Sequence, residues 1–130
     1  MDTDKYRSTG IPIDVTVVSD RETVASRGEF LPDGDGFVLS FCIGDGKYEI
    51  AHGASDTVLS VSGLLSYRIS FAAAGAVKVA SPFGDMELTA EPISRGVDRT
   101  DGGVAVSLRY ALTVGGTRTE RDVAVTARFL

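Results

Sequence analysis

From Ile11 onward apolar and polar residues alternate in short runs broken by glycine. A repeat of two is that of a strand with one buried face, and no long stretch shows a convincing helical repeat. SGLLSYRISFAAAGA comes nearest, yet Leu65, Tyr67, Ile69 and Phe71 alternate cleanly before a turn. The pattern predicts strands over 13–19, 23–30, 36–43, 46–52, 56–62, 64–71, 75–80, 85–99, 103–114 and 117–129. The connectors, among them LPDGDG, IGDGK, HGASD, SPFG, TDGG and VGGT, are short and rich in glycine. Strands in series on tight hairpins, with no helix to cover a sheet, imply an antiparallel up-and-down meander. Closing it into a barrel removes its exposed edges. The expected fold is therefore all-β, a calycin- or lipocalin-like barrel of about eight to ten strands. It would span residues 11–130 as one domain, with 1–10 as a flexible leader.

Two places fix the register. With Gly115-Gly116 as a two-residue turn, Val114 faces Thr117. Leu108 then pairs with Val123, Val106 with Val125 and Val104 with Ala127 on one face. On the other face Arg109 falls opposite Asp122, an ion pair, and Ser107 opposite Ala124. A slip of one residue would scramble both faces. The second place is SPFGDMELTAEPIS. Pro82 suits the second position of a turn closed by Gly84, and Met86, Leu88 and Ala90 then point one way. After Pro92 the apolar phase moves to Ile93 and Val97. A phase change of one residue at a proline predicts a β-bulge, and so a bend. With Asp101-Gly102 as the next turn, Val97 lands opposite Val106 and Ile93 opposite Tyr110.

ASPFGDMELTAEPI, GGVAVSLRYALTVGG and the alternating strand after them resemble the C-terminal half of the YwiB-like proteins. These are small bacterial proteins of unknown function with a calycin-like barrel. Ser81-Pro82-Phe83-Gly84, Met86, Gly102-Gly103, Leu108, Tyr110 and Leu112 carry the likeness, with Phe83 where the family has tyrosine. DTVLSVSGLLSYRISF is similar to the family's strand–glycine–strand unit and departs from it at Val61, where arginine is expected. The resemblance spans roughly 11–129 and implies the fold; it brings no reaction or site residues.

Composition narrows the remaining classes. A formal charge of −5 disfavours nucleic acid, which needs a basic patch, and disfavours anionic membrane surfaces likewise. No apolar run approaches the roughly 20 residues of a membrane-spanning helix. The polar start MDTDKYRSTG lacks a signal-peptide core, and Cys42 is the single cysteine. Both fit a cytoplasmic protein. One histidine and one cysteine exclude a Cys/His zinc site. The PDGDG and IGDGK runs lack EF-hand spacing and read as hairpin turns. No metal or cofactor is expected.

His52 shares the phase of Tyr48 and Ile50 at a strand end and reads as structural. Cys42 reads as an unreactive thiol with nothing basic beside it in sequence. No nucleophile or acid–base pair can be assembled, so an enzyme ranks last. One constellation remains. Arg95 shares the phase of Ile93 and Val97, opposite Leu108, and Arg121 falls opposite Tyr110 on that same face. Two guanidiniums and a phenol inside a barrel need a neutralising partner. They predict that Arg95, Tyr110 and Arg121 bind a small amphipathic anion, with residue types similar to those of calycin-fold lipid carriers. The competing reading has the arginines near a mouth, snorkelling to water. The competing function is an interaction or scaffolding domain with a packed, ligand-free core and an unspecified protein partner. Cavity volume separates the two.

Overall fold

A computed structural model describes residues 10–63, 66–72 and 74–130. The expected leader, apart from Gly10, lies outside the described residues, as do Leu64 and Leu65 at the expected start of the sixth strand. Ten strands follow one another: β1 Ile11–Ser19, β2 Glu22–Asp33, β3 Gly36–Ile43, β4 Gly46–His52, β5 Thr57–Ser62, β6 Tyr67–Ser70, β7 Gly75–Val79, β8 Met86–Thr100, β9 Gly103–Val114 and β10 Thr117–Phe129. No helix occurs among the described residues. Every ladder is antiparallel, and the order is β6-β5-β4-β3-β2-β1-β10-β9-β8-β7. Each strand thus lies beside its neighbours in sequence, and β1 also pairs with β10. The sheet curls until β6 and β7 come together, joined by the bridge Ser66–Ala80. Its two backbone hydrogen bonds are both 3.0 Å. The barrel is nearly closed, with this seam as its thinnest join.

Alternation along the strands makes the core. Ile13, Val15, Phe37, Leu39, Ile50, Leu59, Ile69, Val106, Leu108 and Val125 are buried inside, at most 2% exposed. The β9–β10 register is the expected one, from Val114–Thr117 to Val104–Ala127. Gly115 and Gly116 take φ of 58° and 86°, the left-handed pair such a turn requires. Outside, Arg109 binds Asp122 at 3.4 Å and Glu120 at 2.8 Å. Arg118 links Glu120 to Glu91 at 2.7 and 2.9 Å. Ala111 pairs with Glu120 on one side and Glu91 on the other, so this ionic lattice lies over it. Ala111 is fully buried although it belongs to the outer phase.

The bulge falls where the proline predicts, between Pro92 and Ser94. Its residues differ from expectation. Pro92, not Ile93, stands opposite Tyr110, and Arg109 is met by Ser94. Ile93 is therefore the extra residue, left 40% exposed, because a proline lacking an N–H can still hold an inward position while its successor is extruded. Inward positions run Leu88, Ala90, Pro92 before the bulge and Arg95, Val97 after it. Met86 is on the expected face, opposite Val79, but at the strand end, where it is 44% exposed. Among the described residues the sixth strand runs Tyr67–Ser70, with Ser66 before it bridged to Ala80 and Phe71 after it outside the strand. PDGDG and IGDGK are hairpin turns, with Gly34 and Gly44 at φ of 60° and 59°.

Successive reversals sort the turns onto two ends. The mouth end carries Asp20-Arg21, Gly44-Asp45, Gly63, the Ser81–Asp85 turn and Gly115-Gly116. The far end carries Gly34-Asp35, Gly53–Asp56, Asp101-Gly102 and the outer ends of β1 and β10.

Candidate functional site

A cavity of about 290 Å³ enters the barrel at the mouth end. Its wall is apolar within, with Val17, Phe41, Ile50, Leu59 and Val123, and polar towards the rim, with Ser19, Asp20, Glu22 and Arg121. Three phenols, Tyr48, Tyr67 and Tyr110, lie between these zones. Each is there because its strand alternates. Tyr48 is two residues from Ile50 on β4, Tyr67 two from Ile69 on β6, and Tyr110 two from Leu108 on β9. The Tyr48 ring stacks on Phe41 at 5.6 Å, and Phe71 meets Tyr110 edge-on at 5.9 Å. The phenols are thus held by packing.

Burial drives the Tyr110 hydroxyl far above the ordinary phenol range, and the nearby Tyr67 adds to the rise. Burial likewise raises Tyr67. Both therefore stay protonated near neutrality and remain donors. Arg121 stands opposite Tyr110 across the β9–β10 ladder. Its Nη1 reaches the Asp20 carboxylate at 3.4 Å, with both side chains about half exposed. An exposed pair at that distance contributes little, on the order of 0–1 kcal/mol, so the guanidinium is readily diverted to another anion.

The sequence brings two of its three candidates together. Tyr110 and Arg121 line the cavity; Arg95 does not. Arg95 is on the inner phase opposite Leu108, as expected, but its side chain crosses to Thr57 at the far end. Arg95 Nη1 donates to Thr57 Oγ1 at 3.0 Å, and the Asp56 carboxylate lies 3.9 Å away. The two arginines leave towards opposite ends, as snorkelling predicts. The sequence missed Tyr48, Tyr67, Asp20 and Glu22 as parts of one site. Their inward phase was readable in Tyr48–Ile50 and Tyr67–Ile69; their convergence depends on closure.

His52 is inward and half-buried, its Nδ1 2.9 Å from Thr57 Oγ1. Arg95 has only donors, so Thr57 Oγ1 accepts from it, and the hydroxyl's remaining lone pair and its proton suit either tautomer of His52. Burial lowers the His52 pKa, and the Arg95 and Arg99 charges lower it further. Cys42 is exposed, on the outer phase of β3.

No family model matches the chain, and no curated protein matches it in sequence. Among solved structures, the crystal structure of the YwiB protein from Bacillus subtilis covers 95% of this chain and 94% of its own, with a TM-score of 0.77 and 19% identity. The chain is thus similar to YwiB in its fold.

Proposed function

We propose that this protein is a YwiB-like, calycin-type barrel that binds a small amphipathic anion at its mouth end. The observation that carries the reading is one cavity with an apolar floor, a coupled Tyr67–Tyr110 phenol pair and one weakly held guanidinium. The guanidinium and the phenols suit an oxyanion, which must compete with the Asp20 and Glu22 carboxylates at the rim. At about 290 Å³ the space is near the lower end of the roughly 300–1,000 Å³ typical of ligand sites. A medium-chain carboxylate or a compact aromatic sulfonate suits it: the head on Arg121, Tyr67 and Tyr110, the tail against Val17, Ile50 and Leu59. Asp20 leaves Arg121 when the anion arrives. An aqueous compartment such as the cytoplasm supplies such ligands.

Fluorescence titration with anilinonaphthalene sulfonate, followed by displacement with decanoate, tests the reading. Saturable binding is expected, weakened about tenfold by Arg121→Gln and less by Tyr110→Phe, which removes one hydrogen bond. Decanol binding as tightly as decanoate, or no displacement by any carboxylate, would sink it.

A second reading, a protein-interaction domain, draws on Phe83, which is 98% exposed. Ser81 Oγ accepts from the Phe83 amide at 3.2 Å and donates to the Gly84 carbonyl at 2.7 Å. The turn is thus braced with its aromatic ring facing outward, and exposed aromatics are enriched at interfaces. A partner retained by the native chain and lost by Phe83→Ser, with probe binding unchanged, supports this reading.

A further inference from the structure

The far end of the barrel gathers charge that the cavity does not use. Arg95 and Arg99 stand four residues apart on β8, opposite Leu108 and Val104 and so on the lumen-facing phase. Between their ends lies His52. Arg95 Nη1 and His52 Nδ1 both meet the fully buried Thr57 hydroxyl. The His52 ring is 5.3 Å from Phe37, and Arg99 lies over Phe37 and Phe30 at 5.5 and 5.7 Å. A row therefore runs Arg95, His52, Phe37, Arg99.

The anionic side of this row is thin. Asp56, the carboxylate beside Arg95, already accepts from the Thr57 amide at 2.7 Å, the Ala72 amide at 2.8 Å and the Ser70 hydroxyl at 2.5 Å. Arg99 has the Asp35 carbonyl as its hydrogen-bond partner among the described residues, at 3.5 Å. Among the described residues no carboxylate lies within ion-pair distance of Arg99. The two guanidiniums flank one imidazole, both charges act to lower its pKa, and they repel each other.

We propose that this end is a binding site for a diphosphate group, with Arg95 and Arg99 each taking one phosphoryl unit and the His52 ring beside them. Spacing selects the ligand. Four residues along a strand separate the Cα atoms by about 13 Å. Arg95 reaches Thr57 and Arg99 lies over Phe37, so the side chains are two anchors, and a guanidinium fork suits the paired oxygens of a phosphoryl group. A single phosphate satisfies one anchor. The Phe30 and Phe37 rings hold the Arg99 end in place and exclude water beneath it.

The protein has a single histidine, so one imidazole C–H signal in the proton NMR spectrum reports on the site. Inorganic pyrophosphate at constant ionic strength should move that signal saturably and raise the pH at which His52 titrates, because a bound anion favours the imidazolium. Inorganic phosphate should bind about tenfold more weakly, and Arg99→Gln should cost pyrophosphate a similar factor. Arg95→Gln also unties Thr57, so its folding is checked by circular dichroism; Arg99→Gln, outside that hydrogen-bond set, decides the matter if it unfolds. Adenosine diphosphate distinguishes free pyrophosphate from a nucleotide source: tighter binding than pyrophosphate identifies the nucleotide, equal binding the diphosphate alone. Arg121→Gln, at the other end, should leave pyrophosphate affinity unchanged. No saturable shift, the same shift with chloride at equal ionic strength, or full affinity in Arg99→Gln would overturn the proposal.

Discussion

Asp20 and Arg21 turn the chain from β1 into β2 with φ of 49° and 75°. Neither is a glycine, and a left-handed residue with a Cβ costs roughly 1–2 kcal/mol. Part of that returns as unfolded-state entropy when glycine is introduced. Arg21→Gly should therefore raise stability by about 0.5–1 kcal/mol in urea unfolding, while Asp20 keeps its grip on Arg121. The reverse holds at Gly28. A Cβ there would overlap the Ser40 backbone carbonyl across the β2–β3 ladder, and backbone cannot yield as a side chain can. Gly28→Ala should lower stability by more than about 2 kcal/mol. At this scale the sequence told which face each residue takes and not which way a long side chain runs. Arg95 and Arg121 sit against positions only two apart on β9, Leu108 and Tyr110, yet their guanidiniums go to opposite ends. Pairing rules carry no rotamer information, so the expected triad of Arg95, Tyr110 and Arg121 divided in two.

Among the strands, β8 holds the clearest link from sequence to shape. Its apolar phase slips by one at Pro92, and the slip was legible because both halves could be threaded against β9 from the Asp101-Gly102 turn. Which residue is extruded was not legible, since the counting leaves Pro92 and Ile93 interchangeable until backbone donors are assigned. Deletion of Ile93 should consequently be tolerated. It removes the unpaired residue and leaves Leu88, Ala90, Arg95 and Val97 facing as before, at a loss of about 1–3 kcal/mol for the lost bend. Deletion of Thr89, in the regular ladder against Thr113, inverts every side chain on one side of the cut and should abolish soluble expression. Thermal melts of the two deletions give the comparison. The ten strands and their hairpins were readable because alternation and glycine turns are local. The tyrosine cavity was not, because β4, β6 and β9 meet only after the sheet has closed.

For the barrel as a whole, the seam between β6 and β7 sets the local stability. Only Ser66–Ala80 bridges it among the described residues, so amides of Tyr67–Ser70 and Gly75–Val79 that face it should exchange with deuterium faster than those of β9 and β10. Asp56 clasps the loop beside this seam. Burial acts to raise its pKa, but the Ser70 hydroxyl and the amides of Thr57, Ala72 and Phe71 outweigh it and hold the carboxyl below its usual range. A depressed folded pKa gives stability that is present above the unfolded value near 3.8 and lost as pH falls through the folded one. His52 acts earlier in the same direction. Its folded pKa is below 6.5, so stability is lost as pH falls from that value towards the lower one. Acid unfolding should therefore begin mildly below neutrality, steepen below pH 3.8, and lose the earlier step in His52→Asn. Seam amides should be the first to respond in exchange measurements across that range.

A regular ladder of this wall links its two extremities. β1 holds β10 through seven residue pairs, Val17 against Val125 among them, whereas the weak join separates neighbours in the middle of the chain. The polypeptide must therefore bring together segments more than a hundred residues apart before the wall can close. Such a topology refolds slowly, in milliseconds to seconds rather than microseconds. The encounter of the first strand with the last is expected to limit the rate. Stopped-flow refolding should show Val17→Ala slowing the forward rate, while Val77→Ala beside the seam mainly quickens unfolding.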